Sequence, residues 1–158
     1  MNLAVIGSGG HEHALCFKLK QSPKLNKLIC IPGNAGTEEI AQNIKEDISN
    51  FDGIYKIIKK NKINLVVVGP EQPLANGIVD YLHKNKVKVF GPNKFASQLE
   101  SSKAFMKKLC KNNNIPTAKF GIFKNFKNAS NFINQNDIPI VVKADGLAEG
   151  KGVSVCLS

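Results

Sequence analysis

The sequence contains no arginine and no tryptophan, so every one of its basic residues is lysine. Its formal net charge of +10 would by itself suggest a nucleic-acid-binding protein. Arginine, however, supplies many of the bidentate contacts to bases and phosphates, and aromatic residues form only 7% of the chain. We therefore interpret the lysines as a solvated surface and predict that the protein has no nucleic-acid partner.

Long apolar runs and closely spaced cysteines are also missing. No segment approaches the roughly 20 apolar residues that a membrane helix needs, and no signal-peptide pattern precedes the first strand. We therefore predict a cytoplasmic protein without a membrane partner. No two cysteines have C-x-x-C spacing, which argues against a zinc site and predicts reduced thiols packed as small apolar side chains. The cysteines are Cys16, Cys30, Cys110 and Cys156.

What the chain does contain is an alternation of strand and helix patterns. Its apolar runs of strand length lie at 3–6, 28–31, 65–68 and 87–90. The segments between them show helical spacing of apolar residues, at 11–21, at 52–60 and in one helix that carries Leu74, Ile78 and Leu82. Four strands linked by helical crossovers predict an α/β, Rossmann-like domain with an open parallel sheet.

The pattern changes after residue 93. Two helical pieces within 91–116 and a short helix around 126–136 are followed by two short apolar runs, at 139–144 and 152–156. Only a glycine-rich loop separates these two runs. So short a connection predicts an antiparallel hairpin. We therefore predict two domains, 1–99 and 100–158, of which the second is incomplete.

The glycine-rich loop in "VIGSGGHEHAL" resembles a dinucleotide fingerprint but departs from it twice. The third glycine of G-x-G-x-x-G is replaced by Glu12, and the second strand ends in "PGN" instead of an acidic residue. Both departures argue against an NAD-dependent dehydrogenase. A single phosphate at the N-terminus of the following helix needs neither feature. His11 and His13, two residues apart on a helix, point in nearly opposite directions and cannot share a metal ion.

Two further loops, "PGNAGT" and "GPEQPLANG", follow the second and third strands. The carboxyl ends of parallel strands meet at one edge of a sheet, so three glycine-containing loops are predicted to form one ligand site there.

A second glycine-rich loop, "GLAEGKG", lies between the strands of the predicted hairpin. It is one residue too short for a Walker A loop, and Gly152 stands where that motif has Ser or Thr. We interpret it as a flexible lid over a triphosphate, with a mobile surface hairpin as the alternative. The proposed phosphate contacts are the amides of Gly146, Gly150 and Gly152 and the ammonium groups of Lys103, Lys143 and Lys151.

Seven motifs, in order along essentially the whole chain, resemble the N-terminal part of the glycinamide ribonucleotide synthetase (phosphoribosylamine–glycine ligase) family of the ATP-grasp superfamily. They are "VIGSGGHEHAL", "PGNAGT", "VGPEQPLANGIVD", "VFGP", "LESSKAFMK", "NIPTA" and "VVKADGLAEGKGV". The resemblance implies a Rossmann-like preATP-grasp domain that binds phosphoribosylamine, followed by the start of an ATP-grasp domain. It also implies ligation of glycine to 5-phosphoribosylamine, with ATP consumed through a glycyl phosphate intermediate in purine biosynthesis.

The resemblance assigns site residues by position. Those implied to bind phosphoribosylamine or glycine are Gly9, Gly10, His11, Glu12, Asn34, Gly36, Thr37, Glu71, Pro73, Leu74 and Asp80. Those implied to bind ATP are Lys103, Lys143, Asp145, Gly146, Gly150, Lys151, Gly152 and Val153, with 146–153 as the lid. No catalytic residue is assigned within the chain. The ligands for Mg²⁺ or Mn²⁺ are expected beyond Ser158, so we expect an N-terminal fragment that is inactive alone and is a monomer or weak dimer.

One departure from the family is His11, which stands where the family usually has arginine. Because histidine changes its charge near neutral pH, we expect phosphate affinity to depend on pH. Two other readings remain open. One is another ATP-grasp ligase, such as a biotin carboxylase or a different purine ligase. The other is a non-catalytic module that binds a phosphosugar or nucleotide.

Overall fold

The computed structural model describes residues 1–148 and 150–157. The chain divides into two compact units, Met1–Ser97 and Gln98–Ser158. Within the described residues, no helix is long and apolar enough to cross a membrane.

The first unit is built on a parallel sheet of five strands. They are β1 (Asn2–Gly7), β2 (Lys27–Pro32), β3 (Gln42–Asn43), β4 (Leu65–Val68) and β5 (Val89–Phe90). The strand order is β3-β2-β1-β4-β5, and all four pairings are parallel. The predicted α/β class and parallel sheet are confirmed. The predicted strand number is wrong by one, because β3 is too short and too polar to produce an apolar run.

Five helices accompany this sheet. They are α1 (Gly10–Lys20), α2 (Ala35–Glu38), α3 (Phe51–Lys60), α4 (Glu71–Asn76) and α5 (Ile78–Lys84). The predicted single helix through Leu74, Ile78 and Leu82 is wrong, because Gly77 interrupts it with a left-handed φ of +97°. The Gly77 amide donates to the carbonyls of Pro73 and Leu74, which ends α4 before α5 begins.

The sheet is buried on both faces, as crossover helices require. Successive residues of β1 point to opposite faces, so Ala4 and Ile6 join one core cluster while Leu3 and Val5 join another. The first cluster contains the inward faces of α3 and α5, and the second contains Cys16 of α1. Each fully buried aliphatic side chain contributes about 1.5–3 kcal/mol to this core.

The strand order places a topological switch point between β1 and β4. β2 lies on one side of β1 and β4 on the other, so the loops after β1 and β4 lead away from each other and leave a crevice between them. The loop after β2 adjoins the loop after β1. This arrangement brings the three loops predicted from the sequence to one edge of the sheet.

The four cysteines are free thiols, as predicted. Cys16 and Cys30 are fully buried, and Cys110 and Cys156 are half-buried. The pKa of the Cys16 thiol lies above its usual value. The main cause is a hydrogen bond to Cys30, and the second is burial. Cys16 therefore stays protonated and packs as an apolar side chain.

The second unit contains α6 (Gln98–Ser101), α7 (Lys103–Asn112), α8 (Phe126–Asn134), β6 (Ile140–Lys143) and β7 (Val153–Cys156). The strands form the predicted antiparallel hairpin, with Ile140 opposite Cys156 and Lys143 opposite Val153. Across 98–148 and 150–157, no residue is buried. The hairpin leaves several valines exposed, and Val155 has 62% of its surface accessible to solvent.

Candidate functional site

A buried carboxylate lies at the carboxyl end of β1. Glu12, in the first turn of α1, is only 3% exposed, and its Oε2 accepts a hydrogen bond of 2.6 Å from the Gly9 amide. A methyl group added at Gly69 would lie 2.0 Å from Oε1, and one added at Gly7 would lie 2.6 Å from Cδ. Only glycine at these two positions leaves room for the carboxylate. Glu12 therefore fills the crevice between the loops after β1 and β4.

This position of Glu12 has an electrostatic consequence. In dinucleotide-binding sheets the pyrophosphate enters the crevice at the switch point. A buried carboxylate there would repel it strongly, because charges interact strongly in a medium of low dielectric constant. The geometry thus agrees with the argument against NAD.

The outer part of the same loop is open. Gly10 is exposed, and a methyl group added there would meet no atom within 4 Å. Gly10 and His11 begin α1, and the first amides of a helix have no partners within that helix. The amide of Gly9 is occupied by Glu12, so the amides that follow it are the ones placed to receive an anion.

The loop after β2 is joined to this first loop through Asn34. Its Nδ2 donates to the carbonyls of Ser8 and Gly9, at 2.8 and 3.2 Å. Its Oδ1 accepts from the Thr37 amide at 2.9 Å, while the Thr37 hydroxyl accepts from the Asn34 amide at 2.7 Å. This reciprocal cap begins α2. The structure therefore brings Asn34, Thr37 and Gly9 together. Thr37 is fully buried and supports the loop through its hydrogen bonds to Asn34.

Gly36 is in contact with a residue that the sequence argument set aside. A methyl group added at Gly36 would lie 2.8 Å from Cε1 of His13. His13 thus packs α1 against the second loop. The signal that could have found it is the glycine itself, because a glycine within a helical turn often marks close approach of another group.

Of the ligand-binding residues predicted in the third loop, only some have side chains that are open to a ligand. Glu71 is exposed in the first turn of α4. Pro73 and Leu74 are buried, and Leu74 packs so closely on Gly91 that an added methyl group would lie 2.9 Å from Cδ2. Their side chains therefore support the core and leave only backbone atoms for a ligand.

Asp80, on α5, has a local role in the structure. Its Oδ2 accepts a hydrogen bond of 2.7 Å from the Lys94 amide. This contact holds the segment after β5 against α5.

In the second unit, three of the predicted ATP residues, Lys103, Asp145 and Gly146, lie together at the N-terminus of α7. Lys103 Nζ donates to the Gly146 carbonyl at 2.7 Å. The Asp145 carboxylate accepts from the Ala104 amide and the Ser102 hydroxyl, each at 3.2 Å. The sequence offers Ser101 or Ser102 as the N-cap of this helix, and the structure shows that Ser102 is the cap. The contact with Ala104 was not predicted.

Asp145 is held in its charged form by these contacts. Burial, although slight, is the largest single influence and acts to raise the pKa of Asp145. Hydrogen bonds from the backbone amides of Ala104, Gly146 and Lys103 and from Ser102 together outweigh it, so the pKa lies below its usual value.

The predicted lid lies between β6 and β7. Lys143 is the last residue of β6, and its side chain is exposed. Gly146 and Gly150 have left-handed φ angles of +92° and +77°. Gly152, Lys151 and Val153 follow on the return to β7. Glu149, inside the predicted lid, lies outside the described residues, as does Ser158.

The charges and backbone conformations of these residues are of the kind that a polyphosphate site uses. Lys103 and Lys143 are positive charges on or beside regular elements, and glycines with left-handed φ let amides face an anion. Within 1–148 and 150–157 there is no group of three or more His, Cys, Asp or Glu side chains that could hold a metal ion. The ligands expected beyond Ser158 are outside these residues.

Comparison with known proteins identifies the family to which both units belong. The family model "Phosphoribosylglycinamide synthetase, N domain" matches residues 1–100, and the model of the ATP-grasp (A) domain of the same synthetase matches 101–158. The chain belongs to the phosphoribosylglycinamide synthetase family. This confirms the resemblance drawn from the seven motifs.

Relatives in this family include the phosphoribosylamine–glycine ligases of Mesorhizobium japonicum and of a Nostoc species. Each is 48% identical to the chain, over 100% and 98% of it respectively. In both cases the match covers 37% of the relative. The chain thus spans little more than a third of the length of these relatives.

Solved structures show the same fold. Phosphoribosylamine–glycine ligase from Thermotoga maritima matches with a TM-score of 0.78 and 29% identity, over 100% of this chain and 36% of that one. An N5-carboxyaminoimidazole ribonucleotide synthetase in complex with ADP matches with a TM-score of 0.81 over 99% of this chain and 41% of that one. Its identity is 16%, so this second match shows the shared fold alone.

Proposed function

We propose that the protein to which this chain belongs is a phosphoribosylamine–glycine ligase of purine biosynthesis. It joins glycine to 5-phosphoribosylamine and forms glycinamide ribonucleotide, ADP and phosphate. The observation that carries the proposal is the first loop: Glu12 closes the crevice to a dinucleotide, while the N-terminus of α1 stays open to a single phosphate. The names of the relatives, over both units, support the same reaction. This chain is the N-terminal portion and is inactive alone.

Residues 1–99 form the phosphoribosylamine-binding domain in this proposal. The amides of Gly10 and His11 receive the phosphate, and Asn34 and Gly36 form the neighbouring wall. Glu71 and the backbone of Pro73 and Leu74 contribute from the third loop. The compact unit that ends at Ser97 and the family match that ends at residue 100 support the boundary.

Residues 100–158 form the beginning of the ATP-grasp domain. Lys103 and Lys143 neutralise phosphate charge, and the loop 146–153 closes over the triphosphate with Lys151. Asp145 orients Lys103 and the loop through the N-terminus of α7. Mg²⁺ or Mn²⁺, held by residues beyond Ser158, supplies further charge neutralisation when it is bound.

The need for a lid follows from the chemistry. A carboxylate is a poor electrophile, so the γ-phosphoryl group of ATP is first transferred to glycine to give glycyl phosphate and ADP. The amine of phosphoribosylamine then attacks the acyl carbon and releases phosphate. Because water hydrolyses an acyl phosphate, a loop that excludes solvent and fixes the reactants favours ligation.

The remaining expectations are proposals of the same kind. We propose a cytoplasmic enzyme, a monomer or weak dimer, whose partners are phosphoribosylamine, glycine and ATP, with no nucleic-acid or membrane partner.

The test is ADP formation by the protein expressed from its complete reading frame. Phosphoribosylamine is generated in the assay from ribose 5-phosphate and ammonia. We expect ADP release only when phosphoribosylamine, glycine and ATP are all present. ADP release that requires bicarbonate instead of glycine would identify a different ATP-grasp ligase. Binding of ribose 5-phosphate without turnover would identify a non-catalytic module.

A further inference from the structure

We propose that Asn43, on the short strand β3, is a positioning residue for the phosphoribosylamine site. It holds the loop 33–37, which follows β2 and includes the first residues of α2, in the shape that binds the ligand. This inference rests on the proposed function. Asn43 belongs to none of the seven motifs, and the strand that carries it was not predicted from the sequence.

Asn43 contacts the loop at three residues. Its Nδ2 donates to the Asn34 carbonyl at 2.7 Å, and its Oδ1 lies 2.8 Å from the donating hydroxyl of Thr37. A methyl group added at Gly33 would lie 2.1 Å from Oδ1. The side chain of Asn43 thus spans the loop from its first residue to its last capping residue.

The same loop is tied on its other side to the phosphate loop. Asn34 donates to the carbonyls of Ser8 and Gly9, immediately before the α1 amides proposed to bind phosphate. A continuous chain of hydrogen bonds therefore runs from Asn43 through Asn34 to Gly9. A shift of Asn34 would move the phosphate loop with it.

Asn43 is itself fixed to the sheet. It pairs with Cys30 in the β2–β3 register, and the next residue, Ile44, donates its amide to the Cys30 carbonyl at 3.0 Å. Cys30 is fully buried. A loop anchored to a rigid strand is held more accurately than a loop that relies on its own contacts.

The Asn43 side chain supplies both a donor and an acceptor to the loop. Its Nδ2 donates to the Asn34 carbonyl at 2.7 Å. Its Oδ1 is one of two acceptors within reach of the Thr37 hydroxyl, at 2.8 Å, and the Asn34 carbonyl is the other, at 2.9 Å. Aspartate supplies the acceptor but places a carboxylate oxygen against the Asn34 carbonyl. Alanine supplies neither.

The test compares Asn43→Ala and Asn43→Asp with the control Asn85→Ala, in the protein expressed from its complete reading frame. Asn85 Nδ2 donates to the Tyr81 carbonyl at 2.9 Å, so the control also removes a part-buried side-chain hydrogen bond to a carbonyl. It does so at the C-terminus of α5, and neither Asn85 nor its partner Tyr81 is assigned a ligand contact. Steady-state ligation is measured for each substrate separately, at a temperature at which all variants are folded.

We expect both Asn43 variants to raise the KM for phosphoribosylamine by about tenfold. This is the lower end of the loss of affinity or activity at metal sites when a residue that hydrogen-bonds to a ligating side chain is replaced. The KM values for glycine and ATP should stay unchanged, and Asn85→Ala should leave all three unchanged. Equal KM values for phosphoribosylamine in the wild type and Asn43→Asp would overturn the inference, even if Asn43→Ala does not fold. A wild type without ligase activity would overturn the proposed function, and this inference would fall with it.

Discussion

Glu12 shows how one side chain can change the ligand of a common scaffold. Three glycines, at positions 7, 9 and 69, lie against its carboxylate, so the acid and the glycines form one packed group. An acidic residue in a first helical turn is normally solvated, and nothing in the local pattern indicates burial. The sequence could therefore predict that the third glycine of the fingerprint is missing, but not that the replacing side chain fills the crevice.

Gly69→Ala tests this packing directly. The added methyl group would lie 2.0 Å from Glu12 Oε1, so the carboxylate must move. We expect the free energy of unfolding of the first unit to fall by about 1–3 kcal/mol, measured by chemical denaturation. Combining it with Glu12→Ala removes the clash, so the double variant should lose less than the sum of the single changes. Strict additivity would contradict the proposed contact.

Gly10→Ala is the matched control for stability and a test of the phosphate site. The same methyl group meets no atom within 4 Å at this position, and alanine favours the helix that begins there. Stability should stay the same or rise by up to about 1 kcal/mol. The KM for phosphoribosylamine should nevertheless increase, because the methyl group occupies space that the phosphate needs. An unchanged KM would place the phosphate elsewhere.

His11→Arg tests the departure from the family pattern. Arginine carries a permanent charge and can donate two parallel hydrogen bonds to a phosphate, which an imidazole cannot do. We expect the variant to bind phosphoribosylamine more tightly, with a lower KM at neutral pH. An unchanged KM would exclude a phosphate contact by the side chain at position 11.

At the scale of elements, the regular parts of the first unit were predictable and its short parts were not. β1, β2 and β4 carry apolar runs that are typical of strands buried on both faces of a parallel sheet. β3 has only two residues, both polar, and α2 has only four residues, so neither is long enough to produce a periodic pattern. Yet these two elements hold Asn43 and Thr37, which shape the second loop of the site. The apolar pattern of a sequence indicates which segments are buried. The positions of β3 and α2 depend instead on side-chain hydrogen bonds, which such a pattern does not indicate.

The N-terminus of α7 depends on Asp145, and this makes its stability depend on pH. The folded pKa of Asp145 lies below the unfolded value of about 3.9, so its stabilising contribution is present above that pH and is lost as pH falls through the folded pKa. We expect Asp145→Asn to reduce the helical signal of the second unit at neutral pH. The difference from the wild type should shrink below about pH 4. The control Asp137→Asn also removes one negative charge from the second unit. An equal effect from this control would contradict the proposed stabilisation of the α7 N-terminus by Asp145.

At the scale of the whole molecule, the two units differ in how they are stabilised. The first unit buries side chains on both faces of its sheet. The second unit, across 98–148 and 150–157, buries none and leaves hairpin valines exposed. The chain also spans little more than a third of its curated relatives. Order in the second unit should therefore depend strongly on further packing partners.

Hydrogen exchange of the 158-residue chain should make this difference visible. Amides of β1, β2 and β4 lie in a buried, fully paired sheet and should exchange only through global unfolding of the first unit. Amides of β6 and β7 belong to an isolated two-stranded hairpin, which is marginal in water, so they should exchange within seconds to minutes. Measured in the protein from the complete reading frame, the hairpin should become protected if a remaining part of an ATP-grasp domain covers it. Equal protection of the hairpin and β1 in the 158-residue chain would show that the second unit is stable without that cover.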